Sequence, residues 1–431
     1  MQTQTLKTLH SKGGEIEPMQ PVPQNAAEEW RRYWPLVLSA MIGMSFYSLF
    51  AYSNQMFIQP LEAEFHWARR DIAFGYSIYA LMAFFFGPVI GALLDRLGAR
   101  RIALPGLFLS ALAFAGLSFT QAAIWTWFAL WFVLATVGLA VKSTVWTVAV
   151  SNAFVHGRAM ALSVMLSGSA LAQFGGPFFG NYLIHGQGWR HTYLVFGLVW
   201  GGFAFVLAAF LFHDAPRPAQ SANGTAALPG LSFRAAITSR PMLLIFIVNL
   251  LNSLFGSGVT FQLKPILSET VLGEGSAAMV AATAGFAGII GKLSTGWLLD
   301  RSESRWIPVF SFGIGAIAYF LLLDTFASRG AMITGVLIYG AFTGAGLSVT
   351  AFLVSRYVGL RSFGAVYGLL GSMLMLGTAL GPPLAGAVYD HFHSYHPLLL
   401  AVIPICLIDA MLMLFLGRYP DHQKPLAAEF G

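Results

Sequence analysis

The sequence predicts an all-α integral membrane protein, with twelve transmembrane helices in two pseudo-symmetric six-helix bundles. Three observations predict it. Of 431 residues, 57% are hydrophobic and only 10% are charged, where a soluble domain carries about 25% charged residues. Twelve apolar runs approach or exceed the roughly 20 residues that a helix needs to cross a bilayer. Finally, a charged hairpin occurs twice. Gly91-Ala-Leu-Leu-Asp95-Arg96-Leu-Gly98-Ala-Arg100-Arg101 separates runs two and three, and Gly296-Trp-Leu-Leu-Asp300-Arg301 separates runs eight and nine, with the two aspartates 205 positions apart.

Residues 1–33 hold Glu15, Glu17, Glu28, Glu29 and several prolines, and read as a polar N-terminal tail. The order of a signal peptide, basic then apolar, is absent from them. Runs near 34–58, 72–94, 102–120, 123–150, 159–183 and 191–213 form the first bundle, residues 34–213. A linker over 214–240 is marked by Pro216, Pro218, Asn223, Gly224, Pro229 and Gly230. Runs near 241–265, 276–299, 306–327, 330–353, 362–388 and 397–417 form the second bundle, residues 241–417, followed by a polar tail, 418–431.

Orientation follows from the Lys and Arg count on each side. Seventeen of these residues fall on the side of the termini, linker and both hairpins, against five on the other. That asymmetry predicts cytoplasmic termini and hairpins; a cell (inner) membrane is the expected location. The net charge of +6 comes from short loops and forms no continuous basic face, so nucleic acid is not an expected partner. The single cysteine, Cys406, excludes an intrachain disulfide. No His-Glu-x-x-His or other metal or cofactor motif occurs. Gly256-Ser257-Gly258 lacks a histidine in a later run to act with it, so no enzymatic activity is expected.

The halves repeat beyond the hairpins. Gly175-Gly-Pro177-Phe-Phe-Gly180 in run five and Gly381-Pro-Pro383-Leu-Ala-Gly386 in run eleven are offset by 206 positions. Duplicated bundles with a site between them suit alternating access, whereas a channel or receptor has no particular need of two equivalent halves. The hairpin, Gly-x-x-x-Asp-Arg-x-Gly-x-x-Arg, resembles the signature of the major facilitator superfamily, and the resemblance covers essentially every run. Arg158-Ala-Met-Ala-Leu-Ser, Gly188-Trp189-Arg190 and Ser355-Arg356-Tyr357-Val-Gly-Leu-Arg361-Ser-Phe-Gly364-Ala-Val-Tyr367-Gly368 resemble bacterial members of the monocarboxylate transporter and oxalate/formate exchanger branch. That likeness implies organic-anion substrates. It also implies that Gly91, Asp95, Arg96 and Arg101, with Asp300 and Arg301 as the second copy, gate the cytoplasmic side. Asp95 would pair with Arg96, Arg101 and the start of run eleven. With Glu303 and Arg305 following Asp300 and no glycine at the turn, the Asp95 copy is expected to be the stronger latch.

Only three charged residues fall well inside a run, and each costs about 2.5–3.5 kcal/mol near the bilayer centre. Lys142 in run four is too far from the loop to reach the headgroups easily, and Trp146 at i+4 would share its helical face. Lys292 in run eight stands where the resemblance implies a carboxylate-contacting arginine. Lysine keeps the charge without the bidentate fork, and Gly288 replaces an aspartate one turn earlier. Asp409 in run twelve is a candidate for proton coupling; because the resemblance places run twelve outside the cavity, a structural, hydrogen-bonded acid or a partner-facing one is the alternative reading. Asn249 and Asn252 in run seven, Tyr47 in run one, and Tyr339 and Thr343 in run ten complete the candidate cavity lining, all equally suited to interhelical hydrogen bonding.

The expected function is secondary active transport of a small organic anion, a mono- or aromatic carboxylate, by a monomer. Proton symport is the first expectation. Anion exchange and proton-coupled efflux of amphipathic compounds are the alternatives, the last disfavoured by the lack of acids in runs one, four, seven and ten.

Overall fold

The computed structural model describes residues 25–214, 230–302, 304–417 and 419–420. Expectations for residues 1–24, for 215–229 of the linker, and for Glu303 and the C-terminal tail lie outside these. The regular elements of the described chain are helices, apart from one backbone bridge between Gly230 and Gly359.

The first half holds α1 (Ala26–Tyr52), the short α2 (Ile58–Phe65), α3 (Arg69–Leu97) and α4 (Ala99–Gly116). It continues through α5 (Ile124–Gly138), α6 (Ser143–Ala153), α7 (Arg158–Leu166), α8 (Gly168–Val195) and α9 (Gly202–Leu211). The second half holds the six-residue α10 (Phe233–Thr238), α11 (Arg240–Ser268), α12 (Gly273–Arg301), α13 (Trp306–Leu322), α14 (Arg329–Val358), α15 (Phe363–Phe392) and α16 (His396–Leu414). Among the described residues, ten segments are long and apolar enough to cross a membrane, and α13 is a shorter apolar helix. The remaining expected run, the eighth, falls on the 29-residue α12.

Two breaks shape the first half. Gly188 takes φ +83, a left-handed value that side chains resist, and turns the chain inside α8 between runs five and six. Lys142 takes φ −56 and ψ 154 between α5 and α6, so run four is interrupted at its charge. Aromatic packing fills this half. Phe57 stacks on Tyr193 at 3.8 Å and Phe50 on Phe114 at 5.2 Å, with Trp127 and Trp131 fully buried.

Helix α1 begins before residue 34, the expected start of run one. Asn25 accepts from Glu28 N–H and starts α1 at Ala26. The Glu29 carboxylate is 2% exposed and accepts from the amides of Val155, His156 and Gly157 at 2.9–3.0 Å. A charged residue near the terminus reads as solvated tail, yet these three donors hold it in the fold. Arg158, next to that loop, reaches Ser355 Oγ at 3.5 Å, and Tyr357 O–H donates to Gly417 O at 3.1 Å. Both ends of the described chain therefore lie on one face, called here the terminal face.

Two seams join the halves. α3 packs along α15, and α12 packs along α7. Small residues permit the approach: a Cβ on Gly91 would strike the Gly364 carbonyl, and one on Gly296 would strike Ser163 and the Ala159 carbonyl.

Candidate transport site and its latches

Each seam ends at the terminal face in a carboxylate. Asp95 accepts from the amides of Gly364 and Ala365, both at 3.0 Å, at the first turn of α15. Asp300 accepts from the amides of Ala159 and Met160, both at 2.7 Å, at the first turn of α7. The four amides are two pairs at the same 205-residue offset as the aspartates. The first amides of a helix lack intrahelical acceptors, and its N-terminus carries partial positive charge, so a carboxylate there is a fitting partner.

The geometry differs from expectation in detail. Asp95 meets the start of α15, but through backbone amides, while Arg101 is exposed. Arg301 lies over its own neighbour Trp297, 4.2 Å from the ring centroid. The second latch is built on the same plan as the first. The Asp300 bonds are the shorter pair, and Arg158 lies within electrostatic reach of Asp300 and Glu29. Sequence reasoning missed Glu29 and Arg158 as latch-side residues. It also missed Arg100, which donates to Phe212 O at 2.7 Å and Ala209 O at 2.9 Å, while Asp214 accepts from its amide and that of Ala99. A charge beside a turn was the available signal, but the partners lie more than 100 residues away.

Toward the middle of the seams stand the two lysines. Lys142 is 1% exposed, and its ammonium donates to Ala83 O of α3 at 3.1 Å. Ser372 Oγ of α15 donates to the same carbonyl at 3.3 Å. Lys292 is 6% exposed and donates to Ser169 Oγ at 2.8 Å and Leu166 O at 3.3 Å, across the other seam. The described acceptors of both ammonium groups are neutral.

Trp146 is corrected by the break at Lys142. Val145 N–H bonds to Lys142 O, which leaves Val141 O to accept from the Trp146 indole at 2.9 Å. The ring is fully buried against Phe212 and Gly43, inside the first half, so a helical i+4 face shared with Lys142 does not exist. Asn249 is spent within the second half, donating to Ile245 O and accepting from Thr350 Oγ1 at 2.8 Å. Tyr339 bonds Thr260 Oγ1, and Thr343 donates to Gly340 O. Asn252 is half-buried near Gly256. Tyr47 joins a tyrosine group with Tyr79, itself stacked on Tyr76, and Tyr367 of the other half lies within electrostatic reach. Asp409 is wholly buried on α16, which packs against α13 and α11 within the second half, and neither oxygen has a hydrogen-bond partner among the described residues. It therefore sits away from both seams.

The sequence model of the Major Facilitator Superfamily matches residues 40–323 and again 245–430. This chain belongs to that superfamily. Human monocarboxylate transporter 2 is 24% identical over 422 residues, 90% of this chain and 86% of its own. The Escherichia coli class C tetracycline resistance protein is 26% identical over 337 residues, 73% of this chain and 78% of its own. Among solved structures, the E. coli fucose:proton symporter superposes with a TM-score of 0.68 at 15% identity over 89% of this chain and 98% of its own. The human organic anion transporter MFSD10 does so with 0.66 at 17% identity over 88% and 99%. The molecule is thus an all-α, multi-pass membrane transporter with monocarboxylate-transporter relatives, and secondary transport, not catalysis, is its activity.

Proposed function

We propose that the protein carries a small organic anion, a mono- or aromatic carboxylate, across the cell membrane by alternating access, with the terminal face cytoplasmic and closed in the state described. The observation that carries this reading is the pair of buried ammonium groups with neutral acceptors. A carboxylate reaching either one replaces a neutral acceptor with an anionic one, adding the attraction of opposite charges at a site shielded from water. The break at Lys142 adds to the attraction, because α6 begins at Ser143 and its N-terminal amides contribute positive field there. Proton symport would neutralise the entering charge.

A second reading, proton-coupled efflux of amphipathic compounds, is favoured by the tetracycline-resistance relative. It calls for acidic groups toward a cationic cargo. Asp409 is the buried acid available, and it faces neither seam.

Thermal-shift measurements on purified full-length protein separate the two. Carboxylates should raise the melting temperature of the wild type, and this rise should be lost in Lys142→Gln and Lys292→Gln. Stabilisation by cationic amphiphiles, with carboxylates inert, would overturn the anion reading.

A further inference from the structure

The 205-residue offset that relates the two latches also relates Gly87 to Lys292 and Gly371 to Leu166. On the seam of α12 and α7, the ammonium of Lys292 comes from the seam helix itself and binds the Leu166 carbonyl. On the seam of α3 and α15, the equivalent position of α3 is Gly87, which has no side chain to supply. The space is shared by the Ser372 hydroxyl of α15 and an ammonium from a third segment. A Cβ built on Gly87 would stand 2.9 Å from the Lys142 ammonium, and one on Gly371 would stand 3.4 Å from it. The two charges therefore occupy equivalent places by different routes, one carried on run eight and the other brought in from run four.

We propose that Lys142 and Lys292 are a pseudo-symmetric pair of seam locks, and that Gly87 and Gly371 are the positioning residues that seat the Lys142 ammonium at the place Lys292 holds on the other seam. Lys292 ties the halves directly, through Ser169 and Leu166. Lys142 bonds Ala83 O of its own half, the carbonyl that also accepts from Ser372 of the opposite half, and it bears on the seam by standing against Gly371. The pairing also explains why run four breaks where it does. A continuous helix would set residue 142 on a helical register, whereas ψ 154 redirects the chain at that residue.

The test uses full-length protein in detergent without any carboxylate, so its result is independent of the substrate reading above. Cys406→Ser removes the native thiol, and Ser163→Cys or Ala365→Cys places one reporter on each seam. Maleimide labelling is then timed. Lys292→Met should speed labelling at position 163, and Lys142→Met at position 365, each by about tenfold, the equivalent of roughly 1.4 kcal/mol. Unchanged rates in variants that melt like their parent would overturn the locks.

Two further measurements address the seat and the symmetry. Gly371→Val should speed labelling at position 365 when Lys142 is present and add little in Lys142→Ala; additive effects would overturn the seat. Leu347 is the residue offset by 205 from Lys142. Combining Lys292→Gly with Leu347→Lys should restore slow labelling at position 163, and a folded double variant that stays fast would overturn the equivalence.

Discussion

At Lys142 a single residue breaks a helix, buries a charge and leaves its neighbour's carbonyl to the Trp146 indole. The two lysines were legible in the sequence because a charge inside an apolar run is costly and stands out. Trp146 was misjudged because periodicity assumes an unbroken helix, and nothing in Val141-Lys142-Ser143 forces a break. Glu29 was hidden for another reason: its three amide donors lie some 126–128 residues away. Away from the membrane, Glu64 on α2 gives a measurable case. Burial pushes its carboxyl up, but the Trp189 indole at 2.7 Å and Arg190 at 2.6 Å outweigh this and hold it below the usual carboxylate range. A depressed carboxylate stabilises above its unfolded pKa, and the contribution disappears as pH falls through the folded one. Glu64→Gln should therefore lower the melting temperature at pH 7, with the gap to wild type closing in melts toward pH 3. A gap independent of pH would show that the charge of Glu64 is not what matters.

At the scale of elements, the hairpins were visible as a repeat, and the approach of Asp95 to run eleven followed from the family resemblance. The acceptor chemistry did not, because a helix N-terminus from the opposite half has no local sequence mark. Each aspartate takes two amides at a first helical turn, and such caps contribute about 0.5–2 kcal/mol. Asp300→Asn should thus loosen the α12 and α7 seam at least as much as Asp95→Asn loosens its own. Thiol labelling at the terminal face reads this directly, and the double variant should label faster than either single one. Faster labelling in Asp95→Asn alone would restore the opposite ranking, in which the first hairpin dominates.

At the scale of the molecule, composition, run length and repetition were enough for the fold class, because lipid as solvent leaves a chain few options. What joins the halves was less legible. The described hydrogen bonds between them run from mid-seam to the latches, through Lys292, Ser372, Asp95, Asp300 and Arg158. On the proposed reading an anion would claim the two charges that stand in the seams, so its binding would compete with the closed face. Uptake into proteoliposomes of the carboxylate that most stabilises the wild type tests this most directly. The account predicts that Lys142→Gln and Lys292→Gln each cut the uptake rate by about tenfold or more, the scale of one lost charge-assisted bond. Uptake at the wild-type rate by folded protein lacking both charges would contradict it.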